Sequence, residues 1–297
     1  MRKYISIVVA YEPEIVNLKA ICANLLAEDV VVLVYDNSDV NKLELNGVSA
    51  VLQDIGVNVI GGQGNVGLSN AFNEATRFAE NQWSEIEGFL FFDQDSKVSS
   101  FSVRNLLCGY ESVLLNQVEL GVLGATPVRK SGDAYQLRKN QKAAPAGYSS
   151  VDIVISSFSF VPYRVFKSVG RFDEKFFIDL VDSEFSYRCS RLGYMLLLDN
   201  SVHFEHEVGM ADGRLFGGRK FSISSPVRNY YQIRNLILVA IKFRWPLYLV
   251  RHFPKRCVQV LYSGIFYGKF LVRMKYALQG LFDGVMNRGG KYEKFHD

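Results

Sequence analysis

The stretch Phe89–Ser96, FLFFDQDS, sets two acids one residue apart at the end of an apolar run. Such a run reads as a buried strand leaving its sheet for a polar cleft. Asp93 and Asp95 then stand at the strand's carboxyl end, where open α/β sheets bind ligands. Two carboxylates this close repel each other unless positive charge lies beside them. A hard divalent cation, Mg²⁺ or Mn²⁺, shared with a ligand's phosphate oxygens, answers that need. A turn or a helix N-cap accounts for an Asp pair equally well, so the tripeptide alone leaves both open.

Three further stretches carry groups able to do chemistry. The run VVVLVY at 30–35 ends in Asp36, Asn37 and Ser38, a second strand tip opening into polar residues. Gly62, Gly64 and Gly67 have GxGxxG spacing, but they follow the third strand, whereas a dinucleotide fingerprint belongs after the first. What survives is a glycine-rich entry into a helix, whose backbone amides can approach an anion, or a tight turn with no ligand. Asn65, Ser69 and Asn73 add polar groups at helical spacing, while Leu68, Ala71, Phe72 and Ala75 form its buried side. Further on, Asp179 and Asp182 stand among Phe176, Phe177, Ile178, Leu180 and Val181. A carboxylate in apolar company tends to have a raised pKa and makes a candidate general base. Asp182 and Glu184 also suit the first turn of a helix, with Arg188 and Arg191 further along, as the helix dipole favours. His203 and His206 fall near a strand end, where a histidine beside a metal site gains weight as a ligand.

The elements positioning these groups alternate. Strands are expected at 4–10, 30–35, 57–60, 120–125, 151–161 and 194–198, besides the run ending at Asp93. Helices are expected at 13–27, from the glycine-rich turn onward, at 101–116, at 165–170 and after Asp182. That order predicts a doubly wound, mostly parallel sheet. The polar stretch 126–150 is long for a connection and is expected to be a flexible or acceptor-binding loop.

Composition bounds the rest. The 297 residues are 48% hydrophobic, enough for a large core. Cys22, Cys108, Cys189 and Cys257 form no CxxC pair, so neither a zinc site nor a disulfide framework is expected, and a reducing cytoplasm fits. The first residues hold too few apolar side chains for a signal peptide, and no stretch has the length of a membrane span. From Glu207 onward there are 16 Lys+Arg against 5 Asp+Glu, leaving 18 against 25 before it. This basic tail points to an anionic surface as partner. From Pro254 apolar residues recur every three to four positions (Cys257, Leu261, Phe266, Phe270, Met274, Leu278, Leu281), interrupted by Lys269, Arg273 and Lys275. A cationic amphipathic helix on a membrane surface, or a helix packed on the body or a second subunit, would read this way.

Taken in order, YDNS, GNVGLSNAFN, FFDQDS, VGRFDEKFFIDLVDSEFSYR, HFEHEVG and RNYYQIRN resemble a family-2 glycosyltransferase with the GT-A fold, most closely the bacterial rhamnosyltransferases. The resemblance covers about Tyr4 to Asn235, most of the chain. It implies a catalytic domain at 1–235 and a basic helical tail at 236–297. It implies that Asp36 hydrogen-bonds a nucleotide base, and that Gly64 and Asn65 line the nucleotide-sugar cleft. By the same resemblance Asp93 and Asp95 form a DXD motif that binds the diphosphate through Mg²⁺ or Mn²⁺, and His206 completes that metal site. Asp182 would be the base of an inverting transfer. Val181 stands where many relatives have Glu, which leaves Asp179 as the alternative proton acceptor. Arg234, or another tail arginine, could meet the phosphates. The implied donor is dTDP-L-rhamnose. The implied acceptor is a growing glycan on a polyprenyl diphosphate at the inner leaflet. No nucleic-acid partner is implied.

Two other functions fit parts of the chain. A sugar nucleotidyltransferase also uses acids and Mg²⁺, but such enzymes carry a glycine-rich, arginine-bearing loop after strand one, and this chain has YEPEIVN there. A non-catalytic membrane-surface scaffold would account for the tail and for none of the acids.

Overall fold

The computed structural model describes residues 3–39, 45–98, 100–129, 143–205, 212–214 and 220–293. Its elements run β1 (Lys3–Ala10), α1 (Ile15–Leu26), β2 (Val31–Asp36), α2 (Leu45–Asp54), β3 (Asn58–Gly61), α3 (Leu68–Gln82), β4 (Ile86–Asp93) and α4 (Ser100–Leu115). Then follow β5 (Leu120–Val128), β6 (Tyr148–Ser150), β7 (Ser159–Pro162), α5 (Tyr163–Val169), α6 (Val181–Arg191) and β8 (Met195–Glu205). The chain continues with β9 (Asp212–Arg214), β10 (Lys220–Ser222), α7 (Pro226–Phe243), α8 (Pro246–Tyr267) and α9 (Phe270–Val285).

Residues divide into two compact units, Met1–Asp173 with Asp182–His206, and Glu174–Val181 with Glu207–Asp297. Residue 235, where the resemblance implies that the catalytic domain ends, lies inside α7, a continuous helix buried along most of its length.

The first unit is built on one eight-stranded sheet in the order β3-β2-β1-β4-β7-β5-β8-β6. Only β7 and β6 run against the others, so the expected mostly parallel sheet with flanking helices is what the chain forms. Strands with near-continuous apolar runs need cover on both faces. On one face Val8, Val32, Val34, Leu90 and Phe92 join Leu18, Ile21 and Leu25 of α1 and Leu106, Tyr110 and Val113 of α4 in a core. On the other, Phe89 and Phe91 meet an aromatic cluster: Phe72 of α3 lies 4.7 Å from Phe91, Phe166 of α5 lies 5.2 Å from Phe89, and Phe172 lies 5.3 Å from Phe91.

The apolar run 151–161, expected as one strand, is not one. It contributes only β7, while residues 151–158 cross between β6 and β7. Phe158 turns the chain with φ +54°. Both backbone groups of Val154 bond the Ser186 hydroxyl on α6 instead of a neighbouring strand. Helix α2 also lacks an expectation in the sequence, and residues 130–142 of the expected loop lie outside the described residues.

In the second unit α7 packs against α9 and α8. The apolar stripe from Cys257 to Leu281, read as one helix, spans two. Gly268 (φ +81°) and Lys269 (φ +60°) break the chain between α8 and α9, and Pro254 lies inside α8. Among the described residues no helix is long and apolar enough to cross a membrane.

Candidate active site

Four parallel strands end along one edge of the sheet. Gly61 pairs with Asp36, Asp36 with Ala10, and Val9 with Asp93. With β1 between them, the Asp36 and Asp93 backbones stand about 10 Å apart, twice the spacing of neighbouring strands. Gly61 (φ +97°) lets β3 end there, because a Cβ would come within 2.4 Å of the Asp36 carbonyl oxygen. The Asp36 carboxylate accepts a 2.9 Å bond from the Ser38 amide, and the Asp36 carbonyl accepts one from the Gly62 amide. Asn37 carries the β2 tip across to the glycine-rich loop: its Oδ1 accepts from the Val66 amide at 2.8 Å and its Nδ2 donates to Asn65 Oδ1. Asn65 Oδ1 also accepts from the Gly67 amide, shaping the entry to α3. Gly64 takes φ +97° in this loop.

Asp93 is the last residue of β4 and half-buried; Asp95 is exposed on the following turn, which the Ser96 amide closes onto the Asp93 carbonyl at 3.1 Å. Gln94 between them, passed over in the sequence, pairs with the backbone of Tyr11 through both ends of its amide. Its Nε2 donates to the Tyr11 carbonyl at 3.0 Å, and its Oε1 accepts from the Tyr11 amide. This side chain extends the β1–β4 ladder by one pairing. The Ser96 and Ser157 hydroxyls share a buried 2.9 Å hydrogen bond, tying the turn to the 151–158 segment. Lys97 pairs with Glu205 in backbone register and through a 2.8 Å ion pair. The end of β8 is therefore fastened beside the DQD turn, one residue before His206, which itself lies outside the described residues. His203 is exposed on β8.

Among the described residues no group of three or more His, Cys, Asp or Glu side chains has the arrangement to hold a metal. The two carboxylates on one turn still fit Mg²⁺ or Mn²⁺, hard cations bound by one or two carboxylates with phosphate oxygens completing the shell.

Helix α6 sets Asp182 in its first turn. Its Oδ1 is shut off from solvent against a small pocket of about 10 Å³, no larger than one water, lined by Phe91, Val161, Phe172 and Phe185. Phe91 is two residues before Asp93 on β4. Ser156 and Ser159 also line this pocket, and a first-turn position suits a carboxylate through the helix dipole. Asp179 is placed differently. It is held in the left-handed region (φ +63°), and Arg228 donates to both its carboxylate oxygens at 2.9 to 3.1 Å. Its carbonyl accepts from Asn235 at 2.8 Å. Both oxygens of that carboxylate are thus engaged by one guanidinium.

Three polar side chains with an expected ligand role are turned to structure. Asn73 is buried, and its amide bonds the Phe172 backbone in both directions at 2.9 and 3.0 Å. Ser69 is buried in the α3 interface. Arg234, offered for phosphates, is fully buried. It donates to the carbonyls of Lys175 and Gly290 and to Asn235, and lies 5.1 Å from the rings of Tyr230 and Tyr231. A guanidinium fully buried and engaged in this way is not presented to a ligand.

Among solved structures, that of GalNAc-T7 with UDP, GalNAc and Mn²⁺ matches 96% of this chain with a TM-score of 0.60 at 13% identity. The chain spans 56% of the length of that structure, and the likeness establishes the GT-A fold. In sequence, the chain is 28% identical over 252 residues to the dTDP-rhamnosyl transferase RfbF of Shigella flexneri, covering 82% of each protein. No protein-family model matches. Fold and relative together make this chain a glycosyltransferase.

Proposed function

We propose that the protein transfers L-rhamnose from dTDP-L-rhamnose, with inversion, onto a hydroxyl of a glycan carried on a polyprenyl diphosphate at the inner face of the cell membrane. The observation that carries this is the meeting of Asp36 and the DQD turn at one edge of the sheet, in a chain alignable over 82% of a dTDP-rhamnosyl transferase. The spacing between the two suits a nucleotide whose base hydrogen-bonds Asp36 and whose diphosphate reaches Asp93 and Asp95. Gly64 and Asn65 line the cleft between. Asp93 and Asp95, with His206, would hold Mg²⁺ or Mn²⁺, which when bound neutralises charge on the departing diphosphate.

Asp182 takes the proton from the acceptor hydroxyl. The oxygen attacks the anomeric carbon from the face opposite the diphosphate, the carbon–oxygen bond to phosphate breaks, and its electron pair leaves with the nucleoside diphosphate. A positioned base contributes roughly 10²- to 10⁴-fold. Asp179, engaged by Arg228, is assigned to holding the second unit together.

Thermal unfolding with a panel of nucleotide sugars, with and without Mn²⁺, tests the donor. A ligand at about 100 times its Kd adds roughly 2.7 kcal/mol, a shift of about 4 °C for a protein of this size. dTDP-L-rhamnose with Mn²⁺ gives the largest shift. A larger shift with UDP-N-acetylhexosamines would replace the donor, and no shift with any nucleotide sugar would overturn the function.

A further inference from the structure

Helices α8 and α9 present their large apolar side chains outward. On α8, Leu247 (79% exposed), Val250, Val258, Leu261 and Ile265 (65%) recur at helical steps on one face. On α9, Leu271 (80% exposed), Leu278, Phe282 and Val285 do the same. The inward sides carry small residues. Gly280 and Gly284 of α9 abut α7 so closely that a Cβ would come within 2.4 Å of the Tyr230 carbonyl oxygen and 2.9 Å of Ile237. Gly264 of α8 abuts Phe270 in the same way. A helix in a water-soluble fold normally has the reverse arrangement, with bulky apolar groups inside. Contiguous exposed apolar surface marks a docking face.

Charge selects its occupant. The exposed Arg251 and Lys255 flank the α8 stripe, and the exposed Lys275 interrupts the α9 stripe. The only acid on either helix is Asp283, which is buried and bonded by the Tyr230 hydroxyl. Apolar residues rimmed by exposed cations fit an anionic bilayer surface, where the side chains enter the acyl boundary and the cations meet headgroup phosphates. A second copy of the chain would set these cations against each other. We infer that the outward face of α8 and α9 is a docking surface for anionic lipid. This deepens, and for its purpose rests on, the lipid-linked acceptor proposed above.

The test is co-sedimentation of the full chain with vesicles of phosphatidylcholine alone or mixed with phosphatidylglycerol. The protein binds the anionic vesicles, and binding weakens on raising salt from about 0.05 M to about 0.5 M, where screening becomes short-ranged. Arg251→Gln with Lys255→Gln and Lys275→Gln lowers vesicle affinity on the order of 100-fold, at roughly 5-fold per cation. Leu247→Ser with Ile265→Ser and Leu271→Ser, all at exposed positions, abolishes binding while the circular-dichroism melt is unchanged. Both variants keep donor turnover on a soluble acceptor, which separates lipid docking from the catalytic proposal. Equal binding to both vesicle types, or binding unchanged in both variants, overturns the inference. So does concentration-dependent dimerisation in sedimentation velocity that the apolar variant removes, with no vesicle binding by the parent chain.

Discussion

Replacing Arg188 by Met would test how α6 is held in place. Arg188 donates to both oxygens of Glu184 at 2.7 and 2.9 Å, and the Glu184 side chain is 1% exposed. Its remaining donors reach the carbonyls of Val169 and Arg171 at 2.7 and 2.8 Å, closing the end of α5, and its guanidinium lies 5.1 Å from the Phe185 ring. Methionine fills similar volume but takes the guanidinium away from a buried carboxylate. Removing one partner of a buried pair costs about 3–5 kcal/mol, and the two-bond fork onto Glu184 with two further bonds to carbonyls argues for the middle, about 4 kcal/mol. The double variant with Glu184→Gln removes the buried charge along with its cation and recovers roughly 2 kcal/mol, a coupling expected only of contacting groups. Urea unfolding followed by far-ultraviolet circular dichroism reads both. A loss below about 1 kcal/mol for Arg188→Met, at the level of an exposed pair, or strictly additive effects, would refute this account of α6.

Gln94→Leu removes the two bonds that join the DQD turn to Tyr11, each worth about 1 kcal/mol. Donor kcat/KM should fall about tenfold with the fold intact, and an unchanged value would show that the pairing does not position the turn. Burial pushes the Cys22 and Cys189 thiols up to about 12. Native-state alkylation near neutral pH should therefore mark the exposed Cys108 and spare those two, as read by peptide mass spectrometry. Because each buried thiol stays protonated after its unfolded counterpart ionises, its contribution to stability holds below pH 9.0 and is lost as pH climbs toward about 12. Stability rising across that window would contradict the burial.

The strand tips were legible in the sequence because an apolar run ending in acids has a single mechanical meaning in a parallel sheet. Asp36 and Asp93 are found at the edge where that pattern places them. What escaped depends on partners distant in the chain. Gln94 looks like a spacer between two acids until Tyr11, 83 residues away, is seen beside it. Asn73 and Arg234 carry ligand-binding chemistry, and nothing local reveals that the Phe172 backbone and the Lys175 carbonyl consume it. The run 151–161 has strand composition throughout, yet Ser186, on a helix 32 residues on from Val154, takes the ladder bonds. In the tail, periodicity located the apolar stripe. It did not tell inward from outward, because only the small residues facing α7 decide that.

The measurement closest to the central claim is single-turnover transfer by Asp182→Asn beside the parent chain, with nucleoside diphosphate release and rhamnosylated product followed together and folding checked by circular dichroism. A folded variant slowed by about 10²-fold or more, the range a positioned base supplies, is the predicted result. Full-rate transfer by Asp182→Asn would contradict it.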